Sequence, residues 1–329
     1  MVTICPTPPK LNRSQKTIDK RSMLRIYIFL AATLFPVVSY PQVTSAISSD
    51  TILSKSTVIA DGEKPRLISK QFSFTEGPAV NKKGDVFFTD QPNDKIWEYD
   101  INGKLSVFMD KTGRSNGLYF DKKGNLIACA DEHDQLWQIS PKRKIKVLVD
   151  GFKGKLLNGP NDLWIDAKGG IYISDPYYQR NYWTRKKPDM DGQKVYYLPK
   201  GKTQLVLVAD DLQQPNGIVG TPDGKYLYVA DIQANKTYKY EIGADGLLTN
   251  RQLFTAKGAD GMTLDNQGNL YLSGNGITVF NPEGKQIEHI NIPENWTANL
   301  CFGGKNKNEL FITASEGIYL LKMKVKGVE

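Results

Sequence analysis

One pattern occurs six times along this chain, and it limits the fold more than any other feature of the sequence. Each unit places a polar residue before a short apolar strand, a glycine-containing turn and a second strand, as in "RSNGLYFDKKGNLIACAD" from Arg114. Aligned on the polar residue, the units follow one another at intervals of 39 to 55 residues, which is typical of stacked or circular repeat folds. The polar residues are Glu76, Asn116, Asn161, Asn216, Asp260 and, in the weakest match, Asn299.

Each unit is predicted to contain four short strands. In the second unit these are "GLYF", "LIACA", "QLWQIS" and "IKVLV", separated by polar turns. The composition agrees, because 16 Tyr, 13 Phe and 29 Gly favour strands and tight turns over helices. Four strands in roughly 45 residues are typical of a β-propeller blade, which buries its faces only against neighbouring blades. A pair of β-sandwiches would not explain six units in phase.

The two ends of the repeat region predict how the ring closes. The sixth unit offers only three strands, "NLCF", "LFITA" and "IYLLKMKV", whereas "PRLISKQ" (65–71) precedes the first unit and belongs to none. We expect this N-terminal segment to supply the fourth strand of the last blade, which pairs two edges that would otherwise stay open. The sequence therefore predicts an all-β protein, a single six-bladed β-propeller domain spanning residues 48–329.

Residues 1–47 are predicted to be a signal peptide and leader. The apolar run "IYIFLAATLFPVVSY" (26–40) is preceded by Lys16, Lys20, Arg21 and Arg25, and small residues follow in "VTSA". We expect cleavage near Ala46 and export of the protein to a periplasm or the cell exterior. An uncleaved anchor is the alternative, and translation from Met23 would leave a signal of more ordinary length.

Removal of this segment changes the interpretation of the charge. Of the formal net charge of +8, residues 1–47 carry +5, which leaves +3. The basic character is therefore poor support for nucleic-acid binding, and we expect neither a nucleic-acid partner nor, after cleavage, a membrane partner. Cys129 and Cys301 form no disulfide framework and no metal motif, and are predicted to be core residues. The oligomeric state stays open.

The six in-phase polar residues should surround one mouth of the central channel, because the innermost strand of every blade lines it. Their carboxylate and amide oxygens suit a hard cation such as Ca²⁺, which takes about 6–8 oxygen ligands. The ring contains no His or Cys, which argues against a preference for zinc. We expect a divalent metal ion, Ca²⁺ first, with Zn²⁺, Mg²⁺ and Mn²⁺ as alternatives. For Asn116 and Asn299 a purely local turn role is an equal alternative.

A second set of polar residues recurs in phase and is predicted to cap strand ends between blades. It consists of Asp90, Asp131, Asp175 and Asp231.

The stretch "GRSNG" (113–117) fits the G-x-S-x-G pattern and would make Ser115 a nucleophile. That motif needs a helix after the serine, however, and here "LYF" continues as a strand. Serine hydrolase chemistry is therefore disfavoured.

The stretches "FTEGPAV", "GPNDLWID", "PNGIV" and "ADGMTLDNQGNLYLS" resemble the SMP-30/gluconolactonase family, which includes regucalcin. The resemblance covers nearly all of residues 65–325. It implies a six-bladed propeller with one catalytic divalent metal in the channel, and hydrolysis of lactones, often aldonolactones such as glucono-1,5-lactone.

The resemblance also implies roles for individual residues. The implied metal ligands are Glu76, Asn161, Asn216 and Asp260. Asp260 is in addition the implied catalytic base. The implied substrate-binding residues are Asn161, Asn116 and His133. The sixth unit, "TANLCF", matches the family poorly, which leaves Asn299 without an implied role.

These residues are consistent with a metal-dependent lactonase acting on a sugar-type lactone. The metal would polarise the lactone carbonyl and Asp260 would activate water. His133 is interpreted either as a general acid or base or, with more weight, as a loop histidine bonded to Asp131 or Asp134. The alternative function is a non-catalytic, secreted propeller that binds a ligand or a protein, since a fold does not fix a function.

A long connection interrupts the third unit at residues 176–192. It is rich in aromatic residues that are expected either to overhang the pocket and stack on a ring-shaped substrate or to form an ordinary long hairpin. These residues are Tyr177, Tyr178, Tyr182 and Trp183. The basic stretch from Arg185 to Lys187 is expected to be a solvated face.

Overall fold

The computed structural model describes residues 55–328, so the predicted signal peptide and leader (1–47) lie outside the described residues. Within this range, 24 strands form six four-stranded antiparallel sheets. The described helical structure consists of two 3₁₀ turns, Gln91–Asn93 and Asp131–His133. The protein is thus an all-β, six-bladed propeller, as the sequence predicts. Between residues 55 and 328 there is no helix that is both long and apolar enough to cross a membrane.

Five sheets each use four consecutive strands, numbered along the chain after β1 (Arg66–Ser69). The first contains β2 (Thr75–Val80), β3 (Val86–Asp90), β4 (Lys95–Tyr99) and β5 (Leu105–Asp110). The second contains β6 (Ser115–Phe120), β7 (Leu126–Ala130), β8 (Gln135–Ile139) and β9 (Ile145–Val149). The third contains β10 (Leu163–Ile165), β11 (Ile171–Asp175), β12 (Gln193–Leu198) and β13 (Val206–Leu212).

The remaining strands complete the ring. The fourth sheet contains β14 (Pro215–Gly220), β15 (Tyr226–Asp231), β16 (Lys236–Ile242) and β17 (Leu248–Thr255). The fifth contains β18 (Met262–Leu264), β19 (Leu270–Gly274), β20 (Gly276–Phe280) and β21 (Gln286–Ile290). The sixth contains β22 (Thr297–Gly303), β23 (Glu309–Ala314), β24 (Gly317–Lys322) and β1.

The sixth blade is built from both ends of the described chain. Strand β1 pairs antiparallel with β24, so that Arg66 lies opposite Leu320. Upstream of β1, Val58 is fully buried in the core, and a β-bridge joins Ile59 to Met323. The segment before the first repeat therefore occupies the edge that the last repeat leaves open.

Glycines allow the innermost strands to approach one another closely around the channel. A Cβ on Gly117 of the second blade would lie 2.5 Å from the carbonyl oxygen of Asn161 in the third. A Cβ on Gly217 of the fourth blade would lie 2.7 Å from the carbonyl oxygen of Asp260 in the fifth. The Gly117 N–H also donates to the Asn161 carbonyl at 2.7 Å. The residue after the polar ring position is therefore often glycine because neighbouring backbones meet there.

The core lies between the blades, where apolar faces of adjacent sheets pack together. Trp164 and Tyr172 of the third blade, for example, share one buried cluster with Leu227 and Val229 of the fourth. The side chains of Cys129 and Cys301 are both buried, which confirms their predicted place in the core. Since each blade buries its faces only against its neighbours, core packing depends on the ring being complete.

Three of the four in-phase aspartates form the expected strand-end caps. Each accepts backbone N–H bonds from the segment that leads into the innermost strand of its own blade. Asp90 accepts from Ser73 and Phe74, for example, at 3.1 and 3.3 Å. Asp175 and Asp231 bond in the same way. These caps act within a blade rather than between blades.

Asp131 does not fit this set, and its predicted cap role is wrong. Asp90, Asp175 and Asp231 are the last residues of their strands, whereas Asp131 follows strand β7 and begins a 3₁₀ turn. Its carboxylate accepts hydrogen bonds from Arg180 and Tyr182 of the long connection.

The closing strand should be required for stability. We expect a chain that begins at residue 48 to unfold cooperatively, and a chain that begins at residue 73 to have a midpoint at least about 10 °C lower. The shorter chain loses β1, exposes the edge of β24 and removes Val58 from the core. Thermal unfolding followed by circular dichroism measures both midpoints. A chain from residue 55 is the control and should match the chain from residue 48; equal midpoints for all three would contradict the role of β1.

Candidate active site

The polar residues of the first five repeats lie at one mouth of the channel. Glu76, Asn116, Asn161 and Asn216 are all at most 6% exposed and lie at or just before the start of their innermost strands. The negative charge of Asp260 acts on Glu76 from the fifth blade, and the Asn216 side chain bonds to Asp260. The fold therefore brings Glu76, Asn216 and Asp260 together from three separate repeats.

The sixth ring position is Ala298 rather than Asn299. The N–H of Asn299 bonds to the hydroxyl of Thr313 in strand β23, just as the N–H of Gly261 bonds to the hydroxyl of Ser273. Asn299 therefore corresponds to the residue after the polar position, which is glycine in four blades. The sequence pattern therefore places the sixth ring position one residue too late, because no glycine marks it in this unit.

A second pair of polar side chains lies beside the ring. Asp162 follows Asn161 in the third blade, and its carboxylate accepts a hydrogen bond from the Asn299 side chain at 3.5 Å. Burial raises the pKa of Asp162 to about 7, and the charge of Asp260 contributes. Asp162 stands where other blades have glycine, and this departure from the repeat was the signal in the sequence that could have identified it.

The two ring carboxyls are close enough to disturb each other. Burial raises the pKa of Glu76 well above its ordinary value, and the charge of Asp260 raises it further. Burial also raises the pKa of Asp260, to about 6, although hydrogen bonds from Trp296 and Asn216 oppose the shift. Two carboxylates held together away from water are unfavourable unless a proton or a cation offsets their charge.

The donors at this mouth fit a hard cation. The Oδ1 atoms of Asn216 and Asn116 are buried and have no hydrogen-bond partner in the described structure. Amide and carboxylate oxygens are suitable ligands for Ca²⁺ or Mg²⁺. Among residues 55–328, no group of three or more His, Cys, Asp or Glu side chains is arranged to hold a metal. A cation here would therefore need amide oxygens in addition to Glu76 and Asp260.

The long connection reaches the ring and adds Tyr178, one of the aromatic residues named from the sequence, and Arg180, which the sequence did not single out. The hydroxyl of Tyr178 accepts a hydrogen bond from the Asn216 side chain at 2.9 Å. Arg180 is bonded to Asp131 at 3.1 Å, and its positive charge lowers the pKa of both Glu76 and Asp260. The connection therefore contributes both a hydroxyl and a guanidinium near the carboxylates.

Arg185 anchors this connection, and its predicted place on a solvated face is wrong. Its side chain is 13% exposed and pairs with Asp134 at 2.5 Å. It also donates to the Asn158 carbonyl at 2.7 Å and lies over the ring of Trp183. Trp183 in turn donates to the Asp131 carbonyl at 3.0 Å. The segment is thus pinned to the second blade by charge pairs and hydrogen bonds.

His133 lies on the surface of the second blade, at the end of the 3₁₀ turn Asp131–His133. Its ring is exposed and stacks on Trp137 with 5.4 Å between centroids. The predicted bond to Asp131 or Asp134 is wrong, because those carboxylates pair with Arg180 and Arg185. Its role in substrate binding stays a prediction.

Ser115 does not have the setting of a nucleophile. It is fully buried, it begins strand β6, and its hydroxyl donates to the Thr112 carbonyl at 2.6 Å. The helix that a nucleophile elbow requires does not follow it, because the chain continues as β6 and β7.

The fold and the site define a propeller with a polar, acidic channel mouth, and comparison with known proteins places it. The chain belongs to the SMP-30/gluconolactonase/LRE-like family, whose model matches residues 74–316. This confirms the resemblance seen in the sequence motifs. Gluconolactonase of Zymomonas mobilis is 30% identical over 310 residues, which cover 84% of this chain and 85% of that protein.

Solved structures agree. A gluconolactonase from Xanthomonas campestris superposes with a TM-score of 0.75 at 26% identity, covering 83% of this chain and 92% of that chain. A calcium-binding protein, regucalcin, from Agrobacterium tumefaciens superposes with a TM-score of 0.68 at 19% identity, covering 80% and 95% of the two chains. The second similarity shows the fold alone.

The close approach of inner strands should make Gly117 intolerant of any side chain. Gly117→Ala places a Cβ 2.5 Å from the Asn161 carbonyl oxygen and 2.8 Å from the Asp162 Cα. We expect a loss of about 2 kcal/mol in the free energy of unfolding, because backbone must move to relieve the overlap. Urea denaturation measures the loss, with the exposed Lys123→Ala as control. A Gly117→Ala protein as stable as the control would contradict the packing.

Proposed function

We propose that this protein is a metal-dependent lactonase that hydrolyses a sugar-type lactone to the corresponding hydroxy acid. The observation that carries the proposal is the meeting of Glu76, Asp260 and the unpartnered amide oxygen of Asn216 at one channel mouth. The gluconolactonases of Zymomonas mobilis and Xanthomonas campestris support the choice of substrate class.

The residues that would hold the metal are Glu76, Asn161, Asn216 and Asp260. Oxygen donors alone favour Ca²⁺, with Mg²⁺, Mn²⁺ and Zn²⁺ as alternatives. When bound, such an ion would supply Lewis-acid polarisation of the lactone carbonyl. It would also offset the mutual repulsion of the two buried carboxylates.

Asp260 is the base that activates water in the proposed mechanism. The indole N–H of Trp296 donates to its Oδ2 at 2.5 Å, which fixes the carboxylate in one orientation. Water adds to the lactone carbonyl carbon as Asp260 takes one of its protons. The ring C–O bond then breaks, and the proton passes to the departing alkoxide oxygen. The product is a hydroxy acid, and Asp260 returns to its starting state.

Substrate recognition uses polar groups around the same mouth. Asn116 and Asn161 are the ring amides assigned to this task, and His133 is assigned to its rim. Tyr178 and Arg180 add a hydroxyl and a guanidinium from the long connection. A polyhydroxylated lactone matches this set of donors and acceptors better than an apolar one.

Export completes the proposal. Residues 1–47 have the composition of a signal peptide and leader, so the propeller of residues 48–329 acts in the periplasm or outside the cell. Its substrate is accordingly a small lactone present in that compartment.

Chelation separates this function from its rivals. We expect EDTA to abolish hydrolysis of glucono-1,5-lactone and Ca²⁺ to restore it. Asp260→Asn should lower kcat by at least about 100-fold, since a positioned base is lost. Calorimetric titration with Ca²⁺ shows in parallel whether this variant still binds metal. Activity that survives EDTA but not Ser115→Ala would indicate a serine hydrolase. Inactivity on a panel of sugar, aliphatic and phenolic lactones would indicate a binding propeller.

Trp296 should matter through its indole N–H. Trp296→Phe keeps an aromatic ring but removes the hydrogen bond to Asp260, and we expect kcat to fall about tenfold with little change in KM. Trp97→Phe is the matched control, because the buried indole N–H of Trp97 has no hydrogen-bond partner among residues 55–328. Steady-state kinetics measure both variants. An equal effect of the two substitutions would show that Trp296 acts through packing alone.

A further inference from the structure

The face opposite the candidate active site is made of eleven turns. The ring residues lie at the beginnings of the first strands, so the turns between first and second strands, and between third and fourth strands, lie at the other end of the blades. We call this surface the basic face. Its inner turns are residues 81–85, 121–125, 166–170, 221–225, 265–269 and 304–308. Its outer turns are residues 100–104, 140–144, 199–205, 243–247 and 281–285.

Positive charge is concentrated and exposed on the basic face. Its turns contain fifteen Lys or Arg residues, of which all except Lys307 are exposed. These residues are Lys82, Lys83, Lys104, Lys122, Lys123, Lys142, Arg143, Lys144, Lys168, Lys200, Lys202, Lys225, Lys285, Lys305 and Lys307. Every blade contributes at least one, so the cations are spread over a disc.

The acidic residues of the same turns are fewer, and most of them are less exposed than the cations. Of eight Asp or Glu residues, three are exposed: Asp223, Asp245 and Glu283. The other five accept hydrogen bonds from turn backbone, as Asp121 does from the N–H groups of Lys123 and Asn125. The surface that solvent meets is therefore more positive than the net charge of the turns indicates.

Apolar side chains stand among these cations. Ile101 and Leu247 lie in outer turns and are 45% and 41% exposed, and Ile145, directly after the turn 140–144, is 41% exposed. Exposed aliphatic residues beside lysines are unfavourable in water but suit the boundary between lipid headgroups and acyl chains.

We propose that the basic face docks onto the surface of an anionic phospholipid bilayer. A disc of cations matches a plane of phosphate groups, whereas a nucleic acid calls for a stripe or groove. In this arrangement the aliphatic side chains of Ile101, Ile145 and Leu247, which we call the aliphatic tips, reach into the headgroup layer. Bound in this way, the protein presents its acidic channel mouth away from the bilayer, toward soluble substrate. From the sequence we expect no membrane partner once the leader is cleaved, and the net charge of +3 for the remaining chain does not reveal this separation of charge between the two faces.

Vesicle binding tests the proposal. The chain from residue 48 is used because it contains every described strand and lacks the apolar run 26–40, which would bind lipid by itself. We expect it to sediment with vesicles of phosphatidylcholine containing phosphatidylglycerol at low salt, and not with phosphatidylcholine alone. Binding should disappear near about 0.5 M NaCl, where charges are screened within a few Å. Equal binding to neutral vesicles, or no binding to anionic ones at low salt, would overturn the proposal.

Charge reversal locates the surface. Changing Lys83, Lys123, Lys202 and Lys305 together to Glu should weaken vesicle binding at least tenfold. The matched control changes four exposed lysines at the opposite end of the blades to Glu: Lys111, Lys155, Lys187 and Lys236. Thermal unfolding establishes that both variants are folded. An equal loss in the control would show that overall charge, and not this face, is responsible.

The aliphatic tips separate lipid from other polyanions. Ile101→Ser combined with Leu247→Ser should weaken vesicle binding several-fold and leave the binding of a fluorescent DNA duplex unchanged. Tighter binding to the duplex than to vesicles, with no effect of the two substitutions on either, would replace the bilayer with a nucleic acid and overturn the proposal.

Discussion

The close approach of inner-strand backbones around the channel is the constraint on which the rest of this structure depends. Each blade is a small sheet that is stable only against its neighbours, so six blades must meet around one axis. Where they meet, the backbone of one blade lies within 3 Å of the place a Cβ would occupy on Gly117 or Gly217 of the next. The side chains of the residues just before these glycines therefore lie together at one mouth of the channel.

The polar ring is a consequence of the same geometry, and it is held at an energetic cost. Burial raises the pKa of Glu76 and of Asp260, and the charge of Asp260 raises that of Glu76 further. Among residues 55–328, the amide oxygens of Asn116 and Asn216 have no hydrogen-bond partner. Apolar residues at these positions would give a more stable folded state. Buried carboxylates and unpaired amide oxygens of this kind are typical of sites that bind an ion or a reacting group.

Sequence reasoning predicted the fold well because repetition is a long-range signal carried by local pattern. Six units, their strands and the propeller follow from the spacing of polar residues and turns, and Glu76, Asn216 and Asp260 were identified by phase. The method failed where a side chain's partner comes from another repeat. Asn299 was placed one residue out of phase because its unit has no glycine, and Arg180 and Asp131 meet only in three dimensions. Trp296 escaped notice because its bond to Asp260 joins separate loops.

The sixth blade also governs how the chain reaches its final state. Arg66 in the first strand pairs with Leu320 in the last, so the contact that closes the circle joins positions near opposite ends of the described residues. Contacts so distant along a chain form late and slowly, because loop closure must precede any gain from pairing. Blades made of consecutive strands can assemble from local hairpins as they emerge during synthesis, whereas the sixth must wait for the C-terminal strands. Until β1 and β24 pair, each leaves a strand edge without a partner. The molecule is most exposed to aggregation during this interval.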